Sequence, residues 1–391
     1  MSCIIRVALL LLCSVSSAFS APQFLTISDI HYGAENIAKD GQDTGDEFLA
    51  VTLKRFGELT KKADFILHLG DLPTHSLFVT AKKEEYETVV FQGLLEANLN
   101  KKPMFYITGN NDSLLGNYQP FSSNNKSPLN FALGWSGACA YCDGLIIDDT
   151  HMHQDGYYSS YVIPNNKDII LIALNSVQWT KPPIYLPKYP NQHKDALVQL
   201  FWLEQQLKKH HARQLLLAMH IPPGVAYNGS PFWHEIYLDR FLKLLDKYHH
   251  SYDQITLIFS HSHMEEFRKI KLSDTTSIYA FSTPGISRAH HNNPGMKIFS
   301  LDNEMKIRNF TTYFTPDLYE WGDDQYSATN TPEAIFPNCQ NETLSECLET
   351  HSPEQVCHDL EEGLFYGVKS TRVPYQGCIN TYQVNKSVTL D

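Results

Sequence analysis

Metal-capable side chains follow short apolar runs at five places in this sequence. The donors are two aspartates, one asparagine and four histidines, namely Asp29, His31, Asp71, Asn110, His220, His261 and His263. This mixture of nitrogen and oxygen donors suits zinc, manganese or iron, whereas calcium or magnesium would call mostly for oxygen. A single such residue after a strand is usually a turn former or a hydrogen-bonded histidine. Their joint occurrence therefore predicts a metal site.

The number of donors indicates two ions. Seven side chains exceed what one tetrahedral ion needs, but they match two ions if one carboxylate is shared. Two metals about 3.5–4 Å apart hold a hydroxide and stabilise both the attacking and the leaving oxygen at phosphorus. Phosphoester hydrolysis is the chemistry that most needs this arrangement.

Apolar runs alternate with segments of helical periodicity between residue 24 and about residue 302. The runs lie at 24–28, 65–69, 104–108, 169–174, 214–219 and 255–259, and the helical segments at 48–62, 84–98, 196–212 and 232–249. This alternation predicts an α/β layered domain with helices outside. Ligands gather at the carboxyl ends of the strands in such sheets, so the seven donors are expected to converge there.

These residues also resemble a known family. Asp29-x-His31, Gly70-Asp71, Gly109-Asn110, His220 and His261-x-His263 reproduce, in order, the signature of the calcineurin-like metallophosphoesterases. The stretches GDLPTH (70–75), MHIPPG (219–224), SHSHMEEF (260–267) and NNPGMKIFSLD (292–302) resemble the acid sphingomyelinase-like phosphodiesterase branch. The resemblance implies a four-layer αββα sandwich and two divalent ions, usually zinc, with manganese or iron as alternatives.

The resemblance also implies which residue holds which ion. Asp29, His31, Asp71 and His263 would hold the first ion, and Asp71, Asn110, His220 and His261 the second, with Asp71 bridging.

Two positions depart from the family pattern. Ser260 replaces the usual glycine before the His-x-His pair, and Asn111 replaces the histidine that protonates the leaving group in most relatives. An amide can hydrogen-bond a phosphoryl oxygen but cannot supply that proton. His75 is the expected replacement acid, with a surface-loop histidine as the alternative interpretation. Endopolyphosphatase-like members also resemble the chain in having Gly-Asn-Asn-Asp, so Asn111 does not imply inactivity.

Three further residues are predicted to bind substrate. His153 and Tyr158 fall where the substrate loops of the family lie, and His290 precedes an Asn-Asn-Pro-Gly turn. Each has a structural alternative: an exposed histidine, a core tyrosine and an ordinary loop histidine.

The ends of the chain indicate export. Residues 1–20 combine a basic start, a short apolar stretch and small residues, which predicts a signal peptide; a buried N-terminal helix is the alternative. Residues 21–315 are expected to form the catalytic domain, and 316–391 a small, disulfide-tied, mostly helical appendage. Six cysteines follow the predicted signal peptide: Cys139, Cys142, Cys339, Cys347, Cys357 and Cys378. Structural disulfides are expected, although Cys139-x-x-Cys142 could also be a redox pair. The chain is therefore expected to be secreted or held in another oxidising exported compartment.

Charge limits the partners. The net charge is −12 and the isoelectric point is about 5.8, which argues against coating a nucleic acid. No transmembrane segment is expected, because the apolar stretch at the start is too short.

The function expected from the residues and the resemblance is hydrolysis of small phosphoesters, with nucleotides or phosphoanhydrides first. The alternatives are a sphingomyelin phosphodiesterase, an endopolyphosphatase-like enzyme and a non-catalytic binding module. A lipid substrate would bring transient membrane contact, for which the loop at 178–190 is a candidate.

Overall fold

Two mixed β-sheets face each other, and helices cover their outer sides. The computed structural model describes residues 21–34, 41–76, 82–315, 326–339, 342–362 and 375–385. The predicted four-layer α/β sandwich is confirmed. The predicted signal peptide, residues 1–20, lies outside the described residues.

Within the described residues, the first sheet has seven strands. They are β1 (Gln23–Ile27), β2 (Phe65–His68), β3 (Met104–Tyr106), β4 (Cys139–Ala140), β12 (Gly295–Leu301), β13 (Ile307–Phe314) and β14 (Ala328–Asn330). Their order across the sheet is β14-β13-β12-β1-β2-β3-β4. The central strands β1, β2 and β3 are parallel, so their carboxyl ends share one edge.

The second sheet has eight strands among the residues that the structure describes. They are β5 (Ile146–Asp148), β6 (Tyr158–Ile163), β7 (Asn166–Leu174), β8 (Ala212–Met219), β9 (Tyr252–Phe259), β10 (Phe267–Lys271), β11 (Ser277–Ser282) and β15 (Gln383–Val384). Their order is β15-β10-β11-β9-β8-β7-β6-β5, with β7, β8, β9 and β11 parallel.

The helices at Asp46–Leu59, Lys83–Ala97, Gln192–Lys209 and Glu235–Tyr248 lie close to the four predicted segments. The described residues contain the following helices. They are α1 (Asp46–Leu59), α2 (Lys83–Ala97), α3 (Met152–Asp155), α4 (Gln192–Lys209), α5 (Glu235–Tyr248), α6 (Pro332–Ile335), α7 (Leu344–Glu349), α8 (Pro353–Glu362) and α9 (Tyr375–Tyr382). No helix of the described residues is both long enough and apolar enough to cross a membrane.

The run IILIAL shows why the strands of the second sheet are apolar on both faces. Ile169, Leu171 and Ala173 of β7 belong to the core between the sheets. Ile170 and Ile172 point the other way and pack in the cluster that contains α4 and α5. Successive side chains of a strand face opposite sides of the sheet. A strand that is covered on both sides is therefore apolar throughout and does not alternate between apolar and polar residues.

The C-terminal region adds an edge strand to each sheet. β14 pairs with β13, and β15 pairs in parallel with β10. Disulfides join Cys339 to Cys347 and Cys357 to Cys378 among its helices, and a third joins Cys139 to Cys142. The disulfide-tied helical character expected for this region is confirmed, and the two strands attach it to both sheets.

A buried ion pair joins the segment after β9 to the first sheet. Lys297 on β12 donates to the Glu265 carboxylate and to the carbonyl of Ser282 at 2.7 Å. The second Glu265 oxygen accepts from the hydroxyl of Thr312 on β13 at 2.9 Å. Both charged side chains are almost fully buried, so each needs the other to offset its loss of water.

Replacing Glu265 with alanine is expected to destabilise the fold by about 3–5 kcal/mol, because the Lys297 ammonium would stay buried without its partner. Chemical denaturation in the presence of a chelator measures this loss without a metal contribution. The matched control is Glu304→Ala, which removes a largely exposed ion pair with Lys306 and should change stability little. Equal losses in the two variants would contradict the assignment.

Candidate metal centre

The predicted ligands follow the carboxyl ends of strands from both sheets. Asp29 and His31 follow β1, Asp71 follows β2, and His261 and His263 follow β9. All five have positive φ angles, between 46° and 76°. Such angles are strained for residues with a side chain and cluster at functional sites. The turns thus direct the side chains inward at a cost in backbone energy.

Glycines allow two of these turns to touch. A Cβ atom on Gly109 would collide with the Asp71 carboxylate, and one on Gly70 would collide with the backbone of Gly109. Glycine at both positions therefore lets the loops after β2 and β3 lie against each other. This contact is the physical reason for the Gly-Asp and Gly-Asn pairs in the sequence.

Three histidine nitrogens surround the two buried carboxylates. His31 Nε2 lies 3.7 Å from Asp29 Oδ1 and 3.5 Å from Asp71 Oδ2. His220 Nε2 lies 3.6 Å from Asp29 Oδ1 and 3.2 Å from Asp71 Oδ2. His263 Nε2 lies 3.3 Å from Asp29 Oδ1. Residues spread over more than two hundred positions thus converge, as expected from the topology.

Backbone carbonyls orient these imidazoles. Nδ1 lies 3.0 Å from the Pro73 carbonyl in His31, 2.7 Å from that of Leu69 in His220, and 3.2 Å from that of Ser287 in His263. A carbonyl only accepts, so each Nδ1 donates and each Nε2 is left as the lone-pair nitrogen when the ring is neutral. Metal-binding histidines are commonly held in this way.

Several buried polar atoms at this point lack a hydrogen-bond partner. They are Asp29 Oδ1, His31 Nε2, His220 Nε2 and Asn110 Oδ1. Buried polar atoms rarely stay unpaired, so their convergence fits a bound cation. Two overlapping ligand groups, Asp29 with His31 and Asp71, and Asp71 with His220 and His261, share one carboxylate. The residues therefore fit two ions bridged by Asp71.

The pKa values of the ligand side chains show how their charges influence one another when no ion is bound. Burial opposes ionisation of Asp29, but His263 and His220 outweigh it and hold the pKa of Asp29 well below its usual value. Burial lowers the pKa of His220, yet Asp71 and Asp29 raise it to about 10. Burial and the neighbouring His220 lower the pKa of His261 to about 3. The two carboxylates thus attract positive charge, which a bound metal ion would supply.

Asn110 and Asn111 contact the site in different ways. The Asn110 amide nitrogen donates to Asn117 Oδ1 at 2.8 Å, and its buried oxygen has no hydrogen-bond partner. Asn111 donates its backbone N–H to Asp71 Oδ1 at 2.7 Å and its amide to Asp71 Oδ2 at 2.8 Å. Asn111 therefore contacts the shared carboxylate.

Ser260, the second departure from the family pattern, also contacts a ligand. Its hydroxyl donates to Asp29 Oδ2, and it lies 2.9 Å from the Thr283 carbonyl. The other Asp29 oxygen, Oδ1, stays unpartnered toward the histidines. Ser260 thus fixes which carboxylate oxygen is available to an ion.

Asp112 ties the loops after β2 and β3 together. Its carboxylate accepts from the N–H groups of Asp71 at 3.0 Å, Leu72 at 2.7 Å and Gly109 at 2.7 Å. It also accepts from the Tyr106 hydroxyl at 2.7 Å. One buried carboxylate thus sets the spacing of the shared ligand Asp71 and of Asn110.

His75 lies at the edge of the ligand cluster. Its ring stacks on His31 with a centroid distance of 3.6 Å, and its side chain is 32% exposed. Its Nδ1 lies 2.8 Å from Asp43 Oδ1, and its backbone N–H donates to Asp43 Oδ2 at 2.8 Å. Burial lowers the pKa of His75, but Asp43 outweighs this effect and raises it above its usual value.

Asp43 is the functional candidate that the sequence analysis missed. Besides His75, its carboxylate accepts from the hydroxyls of Thr74 at 2.6 Å and Ser287 at 2.9 Å. In the sequence, Asp43 is one of several acidic residues in GQDTGDE and follows no apolar run. Tyr118 was missed as well; its hydroxyl lies 3.3 Å from His261 Nε2.

The three predicted substrate residues lie in different places. His290 is brought to the site, with its ring 4.3 Å from that of His263 and 5.6 Å from that of His75. Tyr158 is fully buried and donates its hydroxyl to the carbonyl of Tyr106 at 2.9 Å, so its side chain is committed to the core. His153 is exposed on α3 beside Gly137. The geometry gives a substrate role for Tyr158 and His153 no support.

A family model decides the assignment. The model described as calcineurin-like phosphoesterase matches residues 22–265. The chain belongs to this family. The matched segment contains all seven predicted metal ligands, which agrees with the dinuclear site that the geometry supports.

Curated relatives of this calcineurin-like phosphoesterase come from Dictyostelium discoideum. Sphingomyelin phosphodiesterase B is 23% identical over 283 residues, which cover 67% of this chain and 40% of the relative. Sphingomyelin phosphodiesterase A is 22% identical over 360 residues, 82% and 58% of the two chains. Sphingomyelinase phosphodiesterase C is 26% identical over 319 residues, 74% and 64% of the two chains. The chain thus spans between 40% and 64% of the length of these relatives.

The chain also resembles two solved phosphatase structures. A dimetal phosphatase from Danio rerio has a TM-score of 0.49 at 13% identity and covers 80% of this chain and 99% of its own. A purple acid phosphatase from yellow lupin has a TM-score of 0.47 at 12% identity and covers 80% and 53%. Neither score is high enough to add to the family assignment.

Replacing Asp112 with alanine is expected to weaken metal binding about 10- to 100-fold, because the loops that carry Asp71 and Asn110 lose their common acceptor. Competition with a chromophoric zinc chelator measures the affinity, and circular dichroism checks that the variant is folded. Asp274→Ala, in an exposed turn, is the matched control. Wild-type affinity in a folded Asp112→Ala variant would show that this carboxylate does not position the ligands.

Proposed function

We propose that the protein is a dinuclear-metal phosphodiesterase or pyrophosphatase that hydrolyses small phosphoesters. The observation that carries this proposal is the pair of ligand groups sharing Asp71, several of whose buried donor atoms have no hydrogen-bond partner. When bound, two divalent ions would supply Lewis acidity and activate a water for attack at phosphorus. A non-catalytic binding module is disfavoured, because every ligand position of the family is filled.

The residues would divide between the ions as the family resemblance implies. Asp29, His31, Asp71 and His263 would hold the first ion, and Asp71, Asn110, His220 and His261 the second. Zinc is the proposed metal, since it accepts both imidazole and carboxylate ligands; manganese and iron also fit the donor set. Asn111 and Ser260 would act through Asp71 and Asp29, each by donating a hydrogen bond to the carboxylate.

His75 is proposed as the acid that protonates the leaving group. The hydrogen bond from Nδ1 to Asp43 fixes the ring, so that Nε2 carries the transferable proton when the imidazole is charged. Its partial exposure and its stacking on His31 place it at the mouth of the site. Asp43 also stabilises the charged imidazolium, so a proton is held at the position where it is needed.

The substrates proposed first are nucleotides and related phosphoanhydrides. A phosphate or nucleotide leaving group needs little protonation, which agrees with the presence of Asn111 in place of the usual histidine. Sphingomyelin is the second candidate, and the Dictyostelium relatives carry the name of that activity at 22–26% identity. Polyphosphate is a further candidate through the Gly-Asn-Asn-Asp motif.

We also propose that the protein is exported. Three disulfides are consistent with an oxidising compartment. The predicted signal peptide at residues 1–20 would direct that export.

Removal of the metals is expected to abolish hydrolysis of bis(p-nitrophenyl) phosphate, and zinc or manganese should restore it. Asp71→Ala should reduce the rate to background, because both ions lose a ligand, whereas Asp274→Ala should keep the wild-type rate. Full activity of the metal-free protein would overturn the proposal.

Rates of hydrolysis of ATP, CDP-choline, polyphosphate and sphingomyelin by the metal-loaded protein rank the candidate substrates. Turnover of sphingomyelin alone would select the second candidate.

His75→Ala is expected to lower kcat about 10²- to 10⁴-fold on a phosphodiester with an alkyl alcohol leaving group. The loss should be far smaller with p-nitrophenol, which leaves without protonation. Asp43→Asn should show the same dependence on the leaving group with a smaller loss, and it should add little to His75→Ala, because both changes remove one function.

A zinc-affinity measurement separates this role from metal binding. His75 also lies close enough to His31 and His263 to be considered as a ligand. Unchanged affinity in His75→Ala supports the acid, whereas a large loss of affinity with equal rate losses on both substrates would assign His75 to the metal. A full rate on the alkyl ester would exclude the acid role.

A further inference from the structure

A loop beside the metal centre exposes apolar side chains that no part of the proposed mechanism uses. This rim loop comprises residues 181–188, KPPIYLPK. The Ile184 side chain is 100% exposed and the Tyr185 side chain is 78% exposed. A fully exposed isoleucine next to an exposed tyrosine is unfavourable in water unless it meets another surface.

The rim loop is held in this conformation by its own structure. Pro182, Pro183 and Pro187 restrict the backbone, and the Leu186 N–H donates to the Pro183 carbonyl at 3.0 Å. Leu186 packs against the core under the second sheet. The two exposed side chains are thus presented outward by a constrained turn whose anchor, Leu186, is partly buried.

The rim loop lies at the side of the site where the second ion would bind. The Gln119 amide donates to the Pro187 carbonyl at 2.9 Å. The neighbouring Tyr118 has its hydroxyl 3.3 Å from His261 Nε2. A surface that contacts Ile184 and Tyr185 would therefore lie beside the mouth of the metal centre.

The charge of the rim loop is opposite to that of the chain. Lys181 and Lys188 are both exposed, and residues 178–194 contain no acidic side chain. The whole chain carries a net charge of −12. Local cationic charge on either side of an apolar tip is complementary to an anionic interface with an apolar interior.

We propose that the rim loop docks the protein on anionic phospholipid surfaces, with Ile184 and Tyr185 among the headgroups and Lys181 and Lys188 on the lipid phosphates. Tyrosine is favoured at the membrane–water boundary because its ring is apolar and its hydroxyl stays hydrated. A second copy of the chain fits less well, since two side chains are far smaller than the roughly 800 Å² per partner of a stable interface. Docking would bring the metal centre to phosphoesters at that surface, whichever of them it cleaves.

The test compares Ile184→Glu with Leu99→Glu in the full chain. Leu99 is 78% exposed but precedes β3, at the opposite edge of the first sheet from the metal ligands. Sedimentation with phosphatidylcholine vesicles, with and without phosphatidylserine, measures binding, and bis(p-nitrophenyl) phosphate in solution measures activity without a surface. Ile184→Glu should reduce binding to the phosphatidylserine vesicles about tenfold, because a charged residue resists insertion. Leu99→Glu should bind like wild type, and all three proteins should hydrolyse the soluble ester equally.

Three outcomes would contradict the docking surface. Failure of the wild-type protein to bind either vesicle, or equal binding by Ile184→Glu, would remove it. Self-association of the wild type in analytical ultracentrifugation that Ile184→Glu abolishes, without vesicle binding, would assign the surface to a second copy. Vesicle binding without hydrolysis of any phosphoester would leave the docking surface intact and contradict the proposed function, so the two can fail separately.

Discussion

The structure depends on placing two carboxylates, Asp29 and Asp71, side by side out of contact with water. Two buried negative charges repel each other and lose hydration, so they are stable only with positive charge between or beside them. In the described chain this compensation comes from imidazoles, and the pKa of His220 rises accordingly. Two divalent ions would compensate the charge more fully. The need to hold that charge explains why the donors meet where both sheets end.

The contacts one layer out from the ligands control which atoms are free. The carbonyls of Pro73, Leu69 and Ser287 each accept a hydrogen bond from one histidine N–H. The Ser260 hydroxyl donates to one oxygen of Asp29. Asp112 fixes the backbone in a similar way, because its carboxylate accepts hydrogen bonds from N–H groups of two loops. These partners are ordinary carbonyl, hydroxyl and carboxylate groups. They matter because the ligands are buried: when one polar atom of a buried side chain is hydrogen-bonded, only its other polar atom is available to a metal ion.

The sequence predicted the parts of the structure that depend on local pattern. Apolar runs and helical periods located β7, β8, α4 and α5 well, since burial on two faces or one face leaves a direct trace in residue type. The seven donors were found because each follows a strand.

Other contacts could not be predicted from the local pattern of residue types. The bond from Ser287 to Asp43 joins residues 244 apart, and the role of Asn111 depends on a side-chain rotamer set by Asp71. Tyr158 shows the value of the structural alternative: the sequence allowed either a substrate residue or a core tyrosine, and the alternation of β6 directs the side chain into the core between the sheets.

The histidines divide the mouth of the site into two sides, and this division constrains how substrate can bind. His75 and His290 cluster with His31 and His263, the proposed ligands of the first ion. Tyr118 lies against His261, a proposed ligand of the second ion, and the neighbouring Gln119 contacts the rim loop. Because the proposed acid must reach the leaving oxygen, we infer that the leaving group lies on the side of the site that carries His75, and that the rest of the substrate extends toward Tyr118.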